Sequence, residues 1–300
     1  MLITSGFRYT DIDAFACAKA LEDALLCAGQ QVRAVLPGPP NYSVPGRFKD
    51  DVVFTTSGLP AFDEITLVDV SDPDHLPDFG KPSQVSKVYD HHFGHEGFWQ
   101  EKIGPTNTQI EQVGAAATLI WREIQELNVA NSVSDASYAA ISMAIVSNTC
   151  DMKLSICTDD DSNALADCSQ RAAFEPSWKE AYFAEVDRFI LGNFRYALNS
   201  DTKIVPTANV GTLTVGQVEF STTDPLDISS ERVVSCLDEV DVILVSFHTK
   251  EKTLCFTRDE RVADIVSQQW RVGVQRLRTS LLLANDTLCL RKMILPALQN

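Results

Sequence analysis

The sequence predicts an α/β fold: an N-terminal domain built on a parallel sheet, then a smaller mixed α/β C-terminal domain. Three observations carry this expectation. The first half alternates short apolar runs with amphipathic stretches at helical spacing, the rhythm of strand–helix–strand units. The chain has 300 residues, more than one hydrophobic core usually serves. The pattern breaks between Gln170 and Trp178, where Pro176 sits in a short polar stretch, and the linker is placed there. The domains are therefore expected at residues 1–174 and 179–300.

Met1 to Thr4 reads as a strand and Asp11 to Cys27 as a helix, its apolar residues recurring at helical spacing. Val32 to Leu36 is a second strand, stopped by Pro37, Gly38, Pro39 and Pro40. Ile65 to Val70 and Val85 to Tyr89 are two more, each ending in charged or histidine residues. Thr108 to Asn128 is expected as one long helix, and Asp135 to Val146 runs apolar into Ser147, Asn148 and Thr149. Beyond the linker come a helix to about Asn199, a strand at Thr212 to Glu219 and a helix near Glu231. Strands at Val242 to Phe247 and Thr253 to Arg258 follow, then two helices between Ala263 and Leu283. Arg291 and Lys292 stand beside a final apolar run.

Composition removes several function classes. Hydrophobic residues make up 45% and charged residues 22%, which is ordinary for a globular protein. The first residues lack the basic region and apolar run of a secretory signal, and no apolar stretch approaches the roughly 20 residues of a membrane helix. A cytoplasmic chain is expected. The eight cysteines form no CxxC pair, so buried reduced thiols are expected rather than zinc or disulfides. The net charge of −16 disfavours nucleic-acid duplexes and anionic membranes as partners. Between Lys250 and Lys292 the balance reverses, with nine Lys or Arg against five Asp or Glu. That stretch suits an anion, and equally a solvated helix face.

The charged residues least like their surroundings stand where strands end. Asp11 and Asp13 follow the first strand, Asp69 ends ITLVDV, and Asp90, His91 and His92 end VSKVYDHH. Ligands bind at the carboxyl ends of strands in open parallel sheets, so the three groups are expected to converge. Taken singly, Asp11 reads as a helix N-cap, Asp13 as a charge favouring the macrodipole and Asp69 as a turn residue. Adjacent histidines closing a buried strand have no packing rationale. Clustered carboxylates repel one another unless a cation neutralises them, and oxygen and imidazole ligands without cysteine suit manganese-like divalent ions. Two such ions about 3.5–4 Å apart would activate water and neutralise a phosphoryl group together.

The segments TDIDAFACA, LVDVSD, VYDHH, EQVGAAATLIW and SNTCDMKLSICTDDD, in that order, resemble the motifs of the DHH phosphoesterase superfamily. The similarity is closest to manganese-dependent (family II) inorganic pyrophosphatases and Prune-like exopolyphosphatases. The ending LRKMILPALQ resembles that group's C-terminal SRKKQ-type motif. The resemblance implies a DHH metal-binding catalytic domain followed by a DHH-associated domain that binds substrate phosphate. Asp11 and Asp13 would each hold a different metal ion, Asp69 would bridge the two and His91 would be a further ligand. Asp90 would support His91, and His92 would contact phosphate. Arg291, Lys292 and Lys203 would grip the phosphates of the substrate. Up to two Mn2+ ions, or Mg2+ or Co2+ in their place, are the implied cofactors.

Two positions depart from the pattern. Phe7 stands where the first motif has a histidine, and Ser147-Asn148-Thr149 replaces SDT, leaving Asn148 to offer a neutral carbonyl oxygen. Asp72, Asp74, His75 and Asp151 are candidates to compensate. The expected function is metal-dependent hydrolysis of a phosphoanhydride bond in a small phosphate compound, pyrophosphatase- or short-chain exopolyphosphatase-like. The alternatives are a catalytically weakened phosphate- or nucleotide-binding module and a nanoRNase-like phosphodiesterase. The resemblance also implies a homodimer through the N-terminal domain, and the two-domain layout an active site closed by domain movement.

Overall fold

The structure, a computed structural model, describes every residue except Phe7, Lys49, Thr56, Gly58, Leu59, Pro60, Ala61 and Asn300, and every remaining side chain except that of Lys292. The expectation attached to Phe7 therefore lies outside the described residues. The chain divides into two compact units, Met1–Tyr182 and Phe183–Asn300.

The first unit runs β1 (Leu2–Thr4), α1 (Ile12–Cys27), β2 (Arg33–Leu36), β3 (Val53–Phe54), β4 (Ile65–Val68), β5 (Val85–Asp90), α2 (Glu96–Ile103), β6 (Thr108–Ile110), α3 (Ala116–Glu126), α4 (Asp135–Asn148) and α5 (Asp159–Arg171). Its strands form one sheet in the order β3-β2-β1-β4-β5-β6, and every pairing is parallel. The order reverses between β1 and β4, the switch point where such sheets bind ligands. β1 and β4 are buried along their whole length, which is why they read as continuous apolar runs rather than alternating ones. Helix α6 (Trp178–Gly192) carries the chain across the division, a few residues beyond the stretch where the sequence pattern breaks.

The second unit continues with α7 (Phe194–Ser200), β7 (Thr202–Thr207), β8 (Gly211–Phe220), α8 (Ser230–Val234), β9 (Val242–Phe247), β10 (Lys252–Thr257), α9 (Glu260–Trp270), β11 (Gln275–Arg276), β12 (Leu281–Asn285) and α10 (Arg291–Gln299). Its sheet has the order β11-β12-β10-β9-β8-β7. Only β8 and β9 pair in parallel; the other neighbours are antiparallel. The core of this unit joins Val215, Leu244, Cys255 and Leu283 of the sheet to Val262 and Val266 of α9 and Ile294 and Leu298 of α10.

Two expected elements are corrected. Thr108 to Asn128 is not one helix: residues 108–110 pair with β5, Val88 against Thr108 and Asp90 against Ile110. Ala115, at φ −144° and ψ 143°, is extended, and α3 starts only after it. A sheet partner outweighs local helix preference there, and a sequence pattern does not display that partner. Between Ala263 and Leu283 there is one helix, not two. Arg271 takes a left-handed conformation (φ 58°) and ends α9, and the apolar run that follows pairs with β10 from Leu281 to Asn285. Among the described residues no helix is long and apolar enough to cross a membrane.

Candidate metal centre

Each side chain at the carboxyl edge of the first sheet is placed by a local device. Asp11 is the N-cap of α1, accepting the amides of Asp13 at 3.1 Å and Ala14 at 3.0 Å, so the capping role read from sequence is real. Asp13, within the first turn, is fully buried. Its carboxylate accepts the amides of Ala116 at 2.9 Å and Ala117 at 2.8 Å. These are the first amides of α3, whose own N-cap, Ala115, has no side chain able to accept them. Asp13 thus caps a helix 103 residues away in the chain.

Asp69 follows β4 in the left-handed region, at φ 54°, which costs a non-glycine residue energy and is found where a site over-determines the backbone. Its amide is held by the carbonyl of Tyr89 at 2.8 Å, fixing the end of β4 against the end of β5. Asp90, also fully buried, turns its Oδ1 back on the chain. That oxygen accepts the amides of His91 at 2.8 Å and His92 at 3.1 Å, and stands 2.8 Å from His92 Nδ1. Asp90 therefore orients the ring of His92, which is 56% exposed. The ring of His91 has a different support: its Nδ1 lies 3.2 Å from the carbonyl oxygen of Val113. That contact puts the proton on Nδ1 and turns Nε2 inward.

Nε2 of His91 then lies 3.7 Å from Asp13 Oδ2 and 3.6 Å from Asp69 Oδ1. Asp69, His91 and His92 each place a ligand atom within 4.8 Å of the others. The separations are too long for hydrogen bonds. They are slightly wider than the roughly 3.0–3.4 Å kept by two ligands of a divalent ion with bonds near 2.1 Å. One carboxylate and two imidazoles within that span, with the Asp13 carboxylate beside His91, are a donor set for a hard-to-borderline cation. Cys17 stands near, its Sγ 3.6 Å from Asp13 Oδ1, but burial and the neighbouring carboxylates push its thiol well above the usual range. It stays protonated and donates to Asp13. Burial, then the charge of Asp11, pushes the Asp13 carboxyl up to about 7 against the opposing pull of the two α3 amides. Burial also acts to raise Asp90, but its bond to His92 and the histidine charges outweigh that and hold it below the ordinary carboxylate range.

The loop from Glu111 to Gly114, which supplies the Val113 carbonyl, is locked by Asp161. This buried carboxylate accepts the amide of Gly114 at 2.8 Å, the hydroxyl of Thr118 at 2.6 Å, and both the amide and the hydroxyl of Thr158 at 2.8 Å. A Cβ on Gly114 would stand 2.5 Å from Thr149 Cγ2, so the end of α4 packs directly against this loop. Asn148 closes α4 and its amide donates to Ala144 at 3.4 Å. Of the compensating candidates, Asp151 pairs with Lys179 at 2.6 Å. Asp72 faces His75 at 3.4 Å and His95 at 3.8 Å.

The structure therefore brings Asp13, Asp69, His91 and His92 together, with Asp11 and Asp90 as their neighbours in the chain. The carbonyl of Val113, the α3 amides and Asp161 were missed by the sequence reading. In the second unit Lys203 is exposed on β7. Arg291 opens α10, is largely buried, and pairs through its guanidinium with the carboxylate and carbonyl of Asp201.

Two crystal structures share this architecture. One is from Methanococcus jannaschii and is assigned to the family II inorganic pyrophosphatases; it aligns at TM-score 0.69 and 19% identity over 100% of this chain and 98% of its own. The chain shares the fold of that structure over its whole length. An exopolyphosphatase-related protein from Bacteroides fragilis aligns at TM-score 0.51 and 12% identity over 99% of this chain and 89% of its own. No protein-family model and no curated protein matches the sequence. At these identities the likeness establishes the fold alone, and the chemistry has to be argued from the residues.

Proposed function

We propose that the protein is a metal-dependent phosphohydrolase that cleaves a phosphoanhydride bond, in the manner of an inorganic pyrophosphatase or a short-chain exopolyphosphatase. The observation that carries this is the position of His91 Nε2 at the switch point, 3.7 Å from Asp13 and 3.6 Å from Asp69, with His92 close by. The description of the two structural neighbours as a family II pyrophosphatase and an exopolyphosphatase-related protein supports the same class. Asp11, Asp13, Asp69 and His91, with the neutral oxygen of Asn148, are the ligand set for up to two divalent ions, Mn2+ first and Mg2+ or Co2+ as substitutes. Bound there, such ions polarise a phosphoryl group and lower the pKa of water.

The chain's own residues do the rest. The Val113 carbonyl keeps the proton of His91 on Nδ1, so that Nε2 is available as a ligand. Asp90 fixes the ring of His92, which is exposed enough to meet a substrate oxygen and hold the charge that develops on it. Lys292 and Lys203 serve the anionic substrate as point charges, and Arg291 would add a planar fork on exchanging the Asp201 carboxylate for a phosphate. Hydrolysis consumes one water, breaks one P–O bond and leaves two phosphate products.

A second reading is favoured by one observation: both oxygens of Asp13 already accept α3 amides, and Asn148 brings no charge. A site so weakened would bind phosphate or nucleotide without turning it over. The test is phosphate release by the purified chain with Mn2+ or Co2+ from pyrophosphate, tripolyphosphate and nucleotides. Release that disappears in Asp69→Ala is the expected result. Calorimetric binding without any release would instead establish the binding module, and cleavage of a dinucleotide with pyrophosphate untouched would establish a phosphodiesterase.

A further inference from the structure

A continuous polar chain is buried inside the second unit. At one end the carboxylate of Asp187 on α6 accepts five hydrogen bonds from the amides of Ser221, Thr222 and Thr223 and the hydroxyls of Thr222 and Thr223. Ser221 Oγ lies 3.0 Å from His248 Nδ1, and His248 Nε2 lies 2.8 Å from Glu219 Oε2. The side-chain amide of Gln217 donates to the other oxygen of Glu219, and its carbonyl oxygen accepts the backbone N–H of Arg291. Ser221, His248, Gln217 and Arg291 are all buried.

The direction of the bonds around Glu219 follows from one group. A carboxylate only accepts, so Glu219 requires a donor from both neighbours. His248 must then carry a proton on Nε2, with Nδ1 facing Ser221 Oγ. Gln217 must present its NH2 to Glu219, which leaves its oxygen for Arg291. Arg291 is the first residue of α10, where the amide has no partner inside the helix, and the preceding residue, Leu290, has no side-chain acceptor. The start of α10 is thus capped from β8. The backbone amide of Gln217 also holds the carbonyl of Asp201 at 3.1 Å, the residue that pairs with the Arg291 guanidinium. The Arg291 amide thus depends on the side chain of Gln217, and its guanidinium pairs with a residue that the Gln217 backbone holds. The His248 donor fixes the carboxylate of Glu219 in place, and Glu219 so held keeps the NH2 of Gln217 on itself and the Gln217 oxygen on the Arg291 amide.

We propose that His248, acting through Glu219 and Gln217, is a positioning residue that sets the first turn of α10 and with it the basic pair Arg291-Lys292. This rests on the reading above, in which that pair receives the anionic substrate. A contact made equally in the ground and transition states shows in KM and not in kcat.

The test uses the full chain with Mn2+, comparing His248→Leu, His248→Gln and Gln217→Met with the parent. His248→Leu and Gln217→Met should raise KM for pyrophosphate by about tenfold with kcat within about twofold. His248→Gln, whose NH2 can still reach Glu219, should recover most of the loss. Hydrogen exchange at the Arg291 amide should quicken in the first two variants and not in the third. If His248→Leu does not fold, Gln217→Met decides. Exchange at Arg291 unchanged in Gln217→Met, or KM unchanged despite faster exchange, overturns the inference. If the parent hydrolyses nothing, the hydrolase reading has failed on its own account; imidodiphosphate affinity and Arg291 exchange, compared across the same variants, then decide the inference.

Discussion

Replacing Asp161 by alanine probes whether the candidate metal centre is held in place from outside. The carboxylate accepts four hydrogen bonds. Two of the donors, the Gly114 amide and the Thr118 hydroxyl, lie in buried surroundings. A buried donor left without its acceptor costs about 1–3 kcal/mol, so Asp161→Ala should lose about 2–6 kcal/mol of stability. Asp161→Asn keeps one accepting oxygen and should fall in the lower half of that range. Urea unfolding in the presence of a chelator measures this without any contribution from bound ions. The loss should also reach His91, because Gly114 follows the residue whose carbonyl holds the His91 ring. Mn2+ binding by the folded Asp161→Asn protein should weaken by about 10–100-fold, the usual scale for a residue that supports a ligand. A loss of less than about 1 kcal/mol in Asp161→Ala, or Mn2+ affinity in Asp161→Asn equal to that of the parent, would refute the lock.

Two further perturbations bear on the centre itself. His91→Ala removes the proposed ligand whose Nδ1 meets the Val113 carbonyl and whose ring lies edge-on to His92; Mn2+ affinity measured by calorimetry should fall at least about tenfold, and an unchanged Kd would remove His91 from the ligand set. For Asp13 the sign follows from the raised pKa: the folded, metal-free protein keeps the proton to about pH 7, whereas the unfolded chain releases it near the ordinary carboxylate value of about 4. The folded state therefore binds more protons between those values, and the Asp13 contribution to stability declines as pH rises from about 4 to about 7. Asp13→Asn should lack that slope, so the stability difference between parent and variant, read from chelated urea titrations, should drift across this window; a constant difference would refute the assignment.

Legibility followed a physical division. An apolar run that ends abruptly in Asp or His marks a buried strand meeting an exposed edge, and Asp69 and Asp90 to His92 were readable for that reason. So was Asp11 as a cap. The strand β6 was read as helix because its three residues owe their conformation to β5. In the same way Leu281 to Asn285 owe theirs to β10, and an apolar run of that length reads equally as helix or strand. The second role of Asp13 was hidden, since the groups it caps are backbone amides, which every residue has, and they lie 103 positions on. Asp161 looked like one of three consecutive acidic residues, with nothing to show that it alone is buried and bonded to Gly114, 47 positions away.

The sequence alone determined the composition of the centre: which carboxylates and imidazoles exist, and that each closes a strand or opens a helix, because hydrophobic periodicity is a local property of the chain. Only the tertiary structure decided that His91 Nε2 stands near both Asp13 and Asp69, that a carbonyl rather than a carboxylate orients His91, and that the Arg291 amide is capped from β8. Those facts depend on strand order, register and the direction of individual hydrogen bonds. These arise between residues far apart in the chain and leave no periodic trace in it.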